Sequence, residues 1–576
     1  MTTGPVTRRW SVPIEAAKLL DVNGLDYSIL LIYFVIVLAI GFLAKRAIAT
    51  SEDFFLSGRS LPAWVTGLAF ISANLGAIEI LGMAANGAQY GIATVHFYWI
   101  GAVPAMVFLG LVMMPFYYSS GVHSVPEYLR RRFDRNAHVF NALTFAAAAV
   151  LIAGVNLYAL ALVIKSLLGW PLWLAILVGA GFVLVYITLG GLSGAIYNEV
   201  LQFFVIIAGL IPIVVVGLHV VGGYSGLKDK VEATKIGPAA FSQWGGAGVG
   251  NWSNPLGDWI GIIFGLGFVL SFGYWTTNFA EVQRALSAKD LSAAQRTPLI
   301  GAFPKIFIPF LTIIPGLIAL VLVKGLGGTK PGTTYNDAIP QLMGKLLPNG
   351  VLGIALTGLL AAFMAGMAAN VSSFNTVWTY DIWKPYVVKD RSDDYYLRLG
   401  RIVTVVGILI GVGTAFIASG YNNIMNYIQL LFSYFNAPLF ATFIIAMFWR
   451  RTSPKSGVYG LAAGTLAAAV MHFSAFHIGY FYPGGNVLSH DKINIQMANF
   501  YGAIAAFVVD AVVTVAVTLV TPPKTTEELA GLVYGIPDPE APDPAIARRN
   551  RKWWESPALL GWSALGLTAA LSVIFL

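Results

Sequence analysis

The sequence predicts an all-α membrane protein that crosses the bilayer about 14 times. Hydrophobic residues make up 57% of the 576 positions and charged residues only 11%, with a mean hydropathy of +0.73, which excludes an ordinary soluble protein. Apolar runs of about 20 residues, the length that crosses a ~30 Å hydrocarbon core, recur along the chain. Because backbone groups in lipid must be bonded within helices or a closed barrel, these runs indicate one polytopic helical domain.

Fourteen apolar segments are candidates for membrane-spanning helices. We expect the first of them to be a retained helix rather than a signal peptide, since no small-residue cleavage site precedes Lys45 and Arg46. An even number of spans places both chain ends on the same side of the membrane. The segments lie near residues 27–45, 64–86, 94–118, 137–168, 171–190, 196–222, 257–278, 299–325, 348–379, 398–419, 424–448, 456–474, 499–521 and 556–575.

The distribution of Lys and Arg predicts the orientation. With both termini outside, about 23 Lys and Arg fall in inner loops and about 10 in outer loops, the asymmetry that orients membrane helices. The formal charge of +8 is thus explained by topology and not by a nucleic-acid partner. The absence of cysteine excludes disulfides and thiol catalysis. Since the chain carries no P-loop, kinase signature or HExxH motif, any pumping must use an ion gradient.

Two of the segments contain glycines and polar residues at positions where an ordinary membrane helix would be apolar throughout. The second reads "ISANLGAIEILGMAANGAQYG" at 71–91, and the seventh reads "GIIFGLGFVLSFGYWTTNFAEVQR" at 261–284. They are five segments apart, which fits two inverted repeats of five helices each. Transporters built in this way bind their substrates where corresponding helices are interrupted. We therefore expect both segments to be broken helices beside a binding site.

Three ionisable residues lie at membrane depth, where charges are costly and usually functional. Glu79 is either functional or a protonated carboxyl bonded to a neighbouring helix. Lys305 is either functional or extends to the inner interface. Asp510 is expected to make a structural contact between helices. The hydroxyl and amide residues of the ninth segment, which more often join helices than bind ions, are Asn370, Ser372, Ser373 and Thr376.

Aromatic residues cluster as "HFYW" at 96–99 and "FGYWTTNF" at 272–279. A sugar ring offers C–H faces and hydroxyl edges, so these clusters, with Phe97 among them, are candidates for a sugar platform. Tyr and Trp also form belts at membrane interfaces, and this second interpretation stays open.

Several loops resemble, in order and spacing, those of the sodium:solute symporter family, with the sodium/glucose cotransporter branch as the closest likeness. The resemblance covers about residues 25–475 and implies a leucine-transporter-like fold of five plus five inverted repeats, with broken first and sixth core helices and alternating access. The motifs are "EDFFLSGRSLPAW" (52–64), "SVPEYLRRRF" (124–133), "GGLSGAIYNEVLQ" (190–202), "QRALSAKDLSAAQR" (283–296), "YDIWKPY" (380–386) and "FWRRTSPKSG" (448–457).

The resemblance also implies a substrate site. The positions that match the sugar site of that branch are Lys305, Gln429, Tyr274, Trp275 and Asn278. Two positions depart from it: Glu79 stands where the branch has glutamine or histidine, and Tyr98 stands where it has glutamate.

The resemblance implies a Na⁺ site that this chain carries only in part. The backbone carbonyls map to Ser72, Leu75 and Ala362, while the two serine hydroxyls of the ninth segment map to Ala365 and Gly366. Na⁺ needs several oxygen ligands, and the loss of two hydroxyls weakens such a site unless other groups replace them. Ser372 is about 10 Å further along the helix and is too distant to do so. A family aspartate corresponds to Glu199, which with Glu79 is a candidate for ion coupling.

The sequence hypothesis is a secondary active transporter in the plasma membrane that imports a sugar or polyol with Na⁺. The alternatives are coupling to H⁺ through Glu79, a carboxylate substrate held by Lys305, and a solute sensor that does not transport. An enzyme is disfavoured because no nucleophile, base and orienting group cluster in the sequence.

The expected organisation follows from these segments. The chain divides into an outer lead (1–26), an extra first helix (27–45), two inverted repeats (64–222 and 257–448), peripheral helices (456–521), a cytosolic linker (522–555) and a last transmembrane helix (556–576).

Overall fold

The computed structural model describes residues 20–45, 57–122, 124–234, 236–245, 248, 258–328, 332–473, 495–536 and 552–575. In these residues the chain is almost entirely helical, and β-pairing is limited to isolated bridges. Eleven helices are long and apolar enough to cross a membrane, and the number rises to 13 if each of two bent helix pairs counts as one span. This agrees with the all-α polytopic fold that the sequence predicts.

The helices of the N-terminal half are α1 (Gly24–Lys45), α2 (Ala63–Asn74), α3 (Met83–Tyr90), α4 (Val103–Phe108), α5 (Met114–Ser119), α6 (Val125–Arg132), α7 (Arg135–Leu168), α8 (Leu172–Val221) and α9 (Gly223–Glu232). Those of the C-terminal half are α10 (Phe272–Thr277), α11 (Phe279–Leu286), α12 (Leu291–Leu322), α13 (Ala338–Leu346), α14 (Val351–Val377), α15 (Lys384–Tyr386), α16 (Asp393–Ala418), α17 (Ile424–Phe448), α18 (Ser456–Phe473), α19 (Ile495–Val520) and α20 (Pro557–Ile574). π-Helical turns extend some of them at Ile78–Gly82, Phe97–Ala102, Leu109–Met113, Gly261–Ser271 and Trp378–Trp383.

The second and seventh segments are broken helices, as predicted. Ala63–Asn74 and Ile78–Val95 are bent by 56°, and Gly261–Thr277 and Phe279–Leu286 by 48°. At the first break the backbone leaves helical geometry at Leu75, where ψ is 40°. At the second break Asn278 is extended, and its side chain accepts a hydrogen bond from the N–H of Ala280. Asn278 is therefore the N-cap of α11.

Helical backbone continues from Leu172 to Val221, and the apolar stretches within it are two, Leu172–Val185 and Gly194–Val221, which agrees with the fifth and sixth segments that the sequence predicts. Helix α8 has 50 residues, which corresponds to about 75 Å at 1.5 Å per residue. This is more than twice the ~30 Å hydrocarbon core, so α8 has the length of two spans. The sequence "TLGGLSG" at 188–194 suggests a loop, but isolated glycines lower helix propensity by only about 1 kcal/mol each.

The loops on one side of the molecule carry many of the cationic side chains. Arg59 donates to the carbonyl of Val122, Lys524 donates to the carbonyl of Arg131, and Arg296 pairs with Glu555 at 3.0 Å. Together with the bonds from Tyr118 to the carbonyl of Ala288 and from Arg132 to the carbonyl of Thr452, these contacts define one side of the molecule, which we call the basic face. Its residues are 57–62, 118–122, 124–135, 286–296, 449–456, 521–536 and 552–556.

Both described ends of the chain lie on the opposite face. The N–H of Leu20 donates to the carbonyl of Ser166 at the end of α7, 31 residues from the basic end of that helix at Arg135. Gln243 donates to the carbonyl of Phe575 at 2.7 Å. The two ends of the described chain therefore lie on the same side of the molecule, as an even number of spans requires.

The long connectors are only partly described. Helix α9 occupies the start of the predicted loop 223–256, while residues 474–494 of the other outer loop and most of the lead 1–26 lie outside the described residues. The described start of the segment 522–555 packs on the basic face, where the hydroxyl of Tyr128 donates to the carbonyl of Leu532 at 2.7 Å.

Asp510 is buried between α17 and α19. Its carboxylate accepts hydrogen bonds from the hydroxyls of Thr442 and Thr514. The structure thus places Asp510 in a contact between helices, away from the broken segments.

Arg132 is a fully buried cation that joins α6 to the end of α17. Its guanidinium donates to the carbonyls of Ala446, Trp449 and Thr452 at 2.8–3.0 Å. We expect Arg132→Ala to destabilise the protein by about 3 kcal/mol or more, because three carbonyls lose charged donors and two of these hydrogen bonds are buried. Arg132→Lys recovers part of this, since an ammonium lacks the planar fork. Thermal unfolding in detergent measures the effect.

Arg398 provides the matched control. Its side chain is 75% exposed and pairs with Asp394, so Arg398→Ala is expected to change stability by less than about 1 kcal/mol. Equal stability of the two alanine variants would contradict the role assigned to Arg132.

Candidate substrate and cation site

A buried ion pair links α12 to the first broken helix. The ammonium of Lys305 lies 2.7 Å from Oε1 of Glu79 and donates to Oδ1 of Asn74 at 2.5 Å. Lys305 is 2% exposed and Glu79 is 5% exposed. Lys305 therefore does not extend to the interface, and Glu79 has a charged partner instead of a neutral one. Since Asn74 and Glu79 lie on opposite sides of the break, the lysine connects both halves of the broken helix.

Two aromatic rings surround the same ammonium. Lys305 Nζ lies 4.9 Å from the ring centre of Tyr98 and 5.2 Å from that of Trp275, distances at which cation–π attraction operates. The hydroxyl of Tyr98 in turn forms a 3.0 Å hydrogen bond with Thr312. The lysine is thus held by a carboxylate, an amide and two aromatic faces.

A cavity of about 60 Å³ lies beside this pair, between the two broken helices and α17. One polar group points into it without a partner: Oε1 of Gln429 has no hydrogen-bond partner among the described residues. Such an acceptor is available to a hydroxyl group of a ligand. The residues that line the cavity are Asn74, Ile78, Glu79, Met83, Phe97, Tyr98, Ala102, Leu266, Leu270, Ser271, Tyr274, Trp275, Lys305, Met425, Gln429 and Phe432.

The structure brings together most of the residues that the sequence proposed for substrate binding. The members of that set that line the cavity are Glu79, Phe97, Tyr98, Tyr274, Trp275, Lys305 and Gln429. Asn278 does not line it, because its side chain caps α11.

The sequence reasoning missed three residues that the structure places at the two breaks. Asn74 bridges Lys305 and the hydroxyl of Tyr274, Glu281 accepts from that hydroxyl, and Asn156 of α7 reaches the first break. Asn74 lies inside the quoted irregular stretch, and Glu281 is an acid three residues after Asn278. A search for every polar residue next to the breaks would have found these two, whereas nothing in the sequence marks Asn156.

Asn156 fills the space between the first broken helix and α14. Its Oδ1 accepts from the N–H of Ala77 at 2.9 Å, which satisfies an N–H that the break leaves free. A Cβ at Gly76 would lie 2.5 Å from this oxygen, and a Cβ at Gly366 would overlap it. The amide therefore occupies the volume that a serine at position 366 would need.

The predicted cation positions lie around this amide. Ser72 is fully buried and its hydroxyl has no hydrogen-bond partner within the described part of the chain, so it adds a free oxygen at the break. Ala362 and Ala365 are fully buried on α14. Carbonyl, amide and hydroxyl oxygens are ligands that suit a hard cation. Oxygen donors are thus present at the break even though the two hydroxyls of α14 are absent.

Glu199 is engaged elsewhere. Its carboxylate forms a bidentate pair with Arg284, at 2.5 Å for the shorter contact, and both side chains are buried. The pair joins α8 to α11, the half of the second broken helix that lies nearer to the basic face. Ser372 is directed to Gln283 and not to the cation positions.

Two broken helices that enclose a polar cavity in the middle of the bundle define an alternating-access membrane transporter. Residues 54–464 match the sodium:solute symporter family. The chain belongs to that family.

Relatives and solved structures agree with this assignment. The chain is 30% identical over 570 residues to sodium/glucose cotransporter 1 of Ovis aries, and the match covers 93% of this chain and 84% of the relative. It is 28% identical to the sodium/glucose cotransporter of Vibrio parahaemolyticus (78% and 85% covered) and 28% identical to the sodium/myo-inositol cotransporter of Bos taurus (88% and 74%). A Na⁺-coupled sialic acid symporter has the same fold, with a TM-score of 0.71 at 19% identity over 88% of this chain and 100% of that chain. The predicted fold is confirmed.

We expect Gly366→Ser to destabilise the protein by about 1–3 kcal/mol, because the new side chain must displace the Asn156 amide. Asn156→Ala in the same chain removes the obstacle and should restore part of the loss. Thermal unfolding of the two single variants and the double variant measures this coupling. Gly413→Ser, at a position with nothing within 4 Å, is the control; purely additive effects at 366 and 156 would show that the two sites do not touch.

Proposed function

We propose that this protein is a symporter that imports a sugar or a sugar-like polyol together with Na⁺ by alternating access. The observation that carries the proposal is the cavity between the two broken helices, with the Lys305–Glu79 pair on one side and the free Gln429 oxygen on another. The sodium/glucose and sodium/myo-inositol relatives support both the substrate class and the coupling ion.

The chemistry of the cavity suits a neutral, polyhydroxylated solute. The Lys305 ammonium, the Glu79 carboxylate and the Gln429 amide supply donors and acceptors for hydroxyl groups. Tyr274 and Trp275 supply aromatic faces for the C–H surface of a ring. The charges of Lys305 and Glu79 cancel, so this pair by itself has no net attraction for an ion.

A carboxylate substrate fits less well for the same reason. An anion that binds Lys305 would have to displace Glu79, which lies 2.7 Å from the ammonium. That carboxylate would then be buried without its partner, at a cost of about 3–5 kcal/mol. A hydroxylated solute can bind both charged groups without separating them.

For Na⁺, we propose that the Asn156 amide oxygen replaces the hydroxyls that α14 lacks. The oxygen sits at the break beside Gly366, and the buried hydroxyl of Ser72 is free to contribute. The carbonyls of Ser72, Leu75 and Ala362 complete the proposed set. When the cation binds, Asn156 exchanges its bond to Ala77 for a cation contact.

We further propose that the protein resides in the plasma membrane with the basic face inside. This orientation follows the positive-inside rule and leaves both termini outside. The half helix α11 then points toward the cytosol, and α3 toward the exterior.

Uptake into liposomes that contain the purified protein tests the function. We expect concentrative uptake of a sugar or polyol when a Na⁺ gradient is imposed at fixed pH, and none with K⁺ in its place. Competition by a sugar and polyol panel, but not by an organic-acid panel, is expected. Uptake that ignores Na⁺ and follows a pH gradient would refute Na⁺ coupling, and binding without uptake would indicate a sensor.

Glu79→Gln is the informative variant in the same assay. It leaves the Lys305 charge without its counter-ion, so we expect sugar uptake to fall and organic acids to begin to compete. Asp510→Asn, which removes a buried carboxylate outside the cavity, should leave the competition pattern unchanged.

Asn156→Ala tests the cation ligand. We expect the Na⁺ concentration for half-maximal uptake to rise by about tenfold or more, since one ligand worth about 1.4 kcal/mol is lost. Asn141→Ala is the control on the same helix, 15 residues away or about 22 Å. Unchanged Na⁺ dependence in Asn156→Ala, with Na⁺-driven uptake intact, would remove Asn156 from the site but leave the function standing.

A further inference from the structure

Glu281 is a buried acid to which the proposed substrate and cation sites assign no role. It lies on α11, three residues after the break, and its side chain is 2% exposed. Its Oε1 accepts a 2.6 Å hydrogen bond from the hydroxyl of Tyr274. Its Oε2 has no hydrogen-bond partner in the described residues. Since buried polar atoms are almost always bonded, this orphaned oxygen calls for a physical reason.

The bond from Tyr274 to Glu281 crosses the second break. Tyr274 belongs to α10 and Glu281 to α11, and the two halves are joined only by the extended residue Asn278. The ring of Tyr274 lines the cavity and lies 4.7 Å from the ring of Phe432. The bond therefore ties the wall of the cavity to the half helix that leads to the basic face.

Three consecutive hydrogen bonds connect Lys305 to Glu281. In each of them the donor is the group nearer to Lys305 along the chain of bonds, and the acceptor is the group nearer to Glu281. Lys305 donates to Asn74 at 2.5 Å, and Asn74 donates to the Tyr274 hydroxyl at 3.0 Å. Tyr274 then donates to Glu281. A chain of donors that ends on a carboxylate is strongest when that carboxylate is ionised, because charge-assisted hydrogen bonds are about twice as strong as neutral ones.

The charges around Glu281 do not cancel. The connected buried groups are the carboxylates of Glu79, Glu199 and Glu281 and the cations Lys305 and Arg284, so three negative and two positive charges leave a net charge of −1. Arg284 is engaged by Glu199 and Lys305 by Glu79, which leaves Glu281 as the unmatched acid. An uncompensated charge at membrane depth is costly.

Within the described part of the chain, the helices packed on α11 bring no charge to Glu281 beyond the groups already named. Helix α14 contributes the hydroxyls of Thr376 and Ser372, both directed to Gln283. Helix α5 contributes the phenol of Tyr117, which donates to the carbonyl of Thr276. The charges nearest to Glu281 are those of Arg284 on its own helix and Lys305 on α12. Beyond them lie their partners, Glu199 and Glu79.

We propose that Glu281 is a proton-binding site whose occupancy controls the basic side of the cavity. The inference rests on the proposed transport function. Ionised, Glu281 holds Tyr274 across the break and keeps the cavity closed toward the basic face. When water on that side delivers a proton to Oε2, the bond from Tyr274 becomes a weaker neutral one, α11 is released, and the solute leaves. The proton returns to the same water as the gate closes, so none is carried across.

The coupling cation and this proton oppose each other. With one Na⁺ bound at the first break the connected groups sum to zero charge, and after the cation leaves, a proton on Glu281 restores that balance. Linkage then requires that Na⁺ make the protonation of Glu281 less favourable. The effect of Na⁺ on the protonation of Glu281 can therefore be measured without any substrate.

Infrared spectroscopy of the full-length protein in detergent tests the site directly. We expect a C=O band of a protonated carboxyl that grows as the pH falls, is lost in Glu281→Gln, and is kept in Asp510→Asn. NaCl in place of choline chloride should move its midpoint to lower pH. An unchanged titrating band in Glu281→Gln would overturn the proposal, whether or not the protein carries sugar.

Efflux of solute from liposomes, with equal pH on both sides, tests whether protonation of Glu281 opens the cavity. Wild-type efflux should quicken as the pH falls, because protonation opens the gate, while Glu281→Gln should be fast at every pH. Tyr274→Phe, which lacks the donated O–H, should flatten the profile in the same way and serves if Glu281→Gln does not fold. A wild-type pH profile in either variant contradicts the inference, whereas failure of Na⁺-driven uptake by the wild type contradicts the proposed function instead.

Discussion

The buried ammonium of Lys305 is the interaction on which the rest of the site depends. An unpaired ammonium in the membrane interior costs several kcal/mol of desolvation, so it must keep partners in every state of the protein. In this structure those partners are Glu79 and Asn74, one on each side of the first break. A solute that offers hydroxyl groups to the lysine and the carboxylate therefore acts on both halves of the broken helix at once, which is a physical route from binding to movement.

Close approach between helix backbones makes the arrangement around the proposed cation positions possible. Gly358 of α14 lies so near Gly209 of α8 that a Cβ at either position would come within about 3.0 Å of the other backbone. Further along α14, Gly366 leaves room for the Asn156 amide. The absence of a side chain at Gly366 and the presence of the Asn156 amide depend on each other, since the same volume cannot hold both.

Much of the fold and part of the site could be predicted from the sequence. Long apolar runs and the glycines of the second and seventh segments identified the spans and both breaks, because each signal is local. The helical backbone between the fifth and sixth segments could not be predicted, since weak helix formers at 188–194 resemble a loop. Asn278 was expected in the substrate site but caps α11, because a residue beside a break serves whichever free N–H lies nearest.

The sequence by itself determined that this chain is a helical membrane protein, which helices break, and that an acid, Glu79, and a base, Lys305, lie within apolar segments. Those properties follow from composition and spacing along one helix. Only the tertiary structure decided that these two residues pair, that Asn156 reaches the first break from α7, and that Glu281 ends a chain of donors that starts at Lys305. Pairing depends on distances between helices that are far apart in sequence, and the packing of whole helices sets those distances.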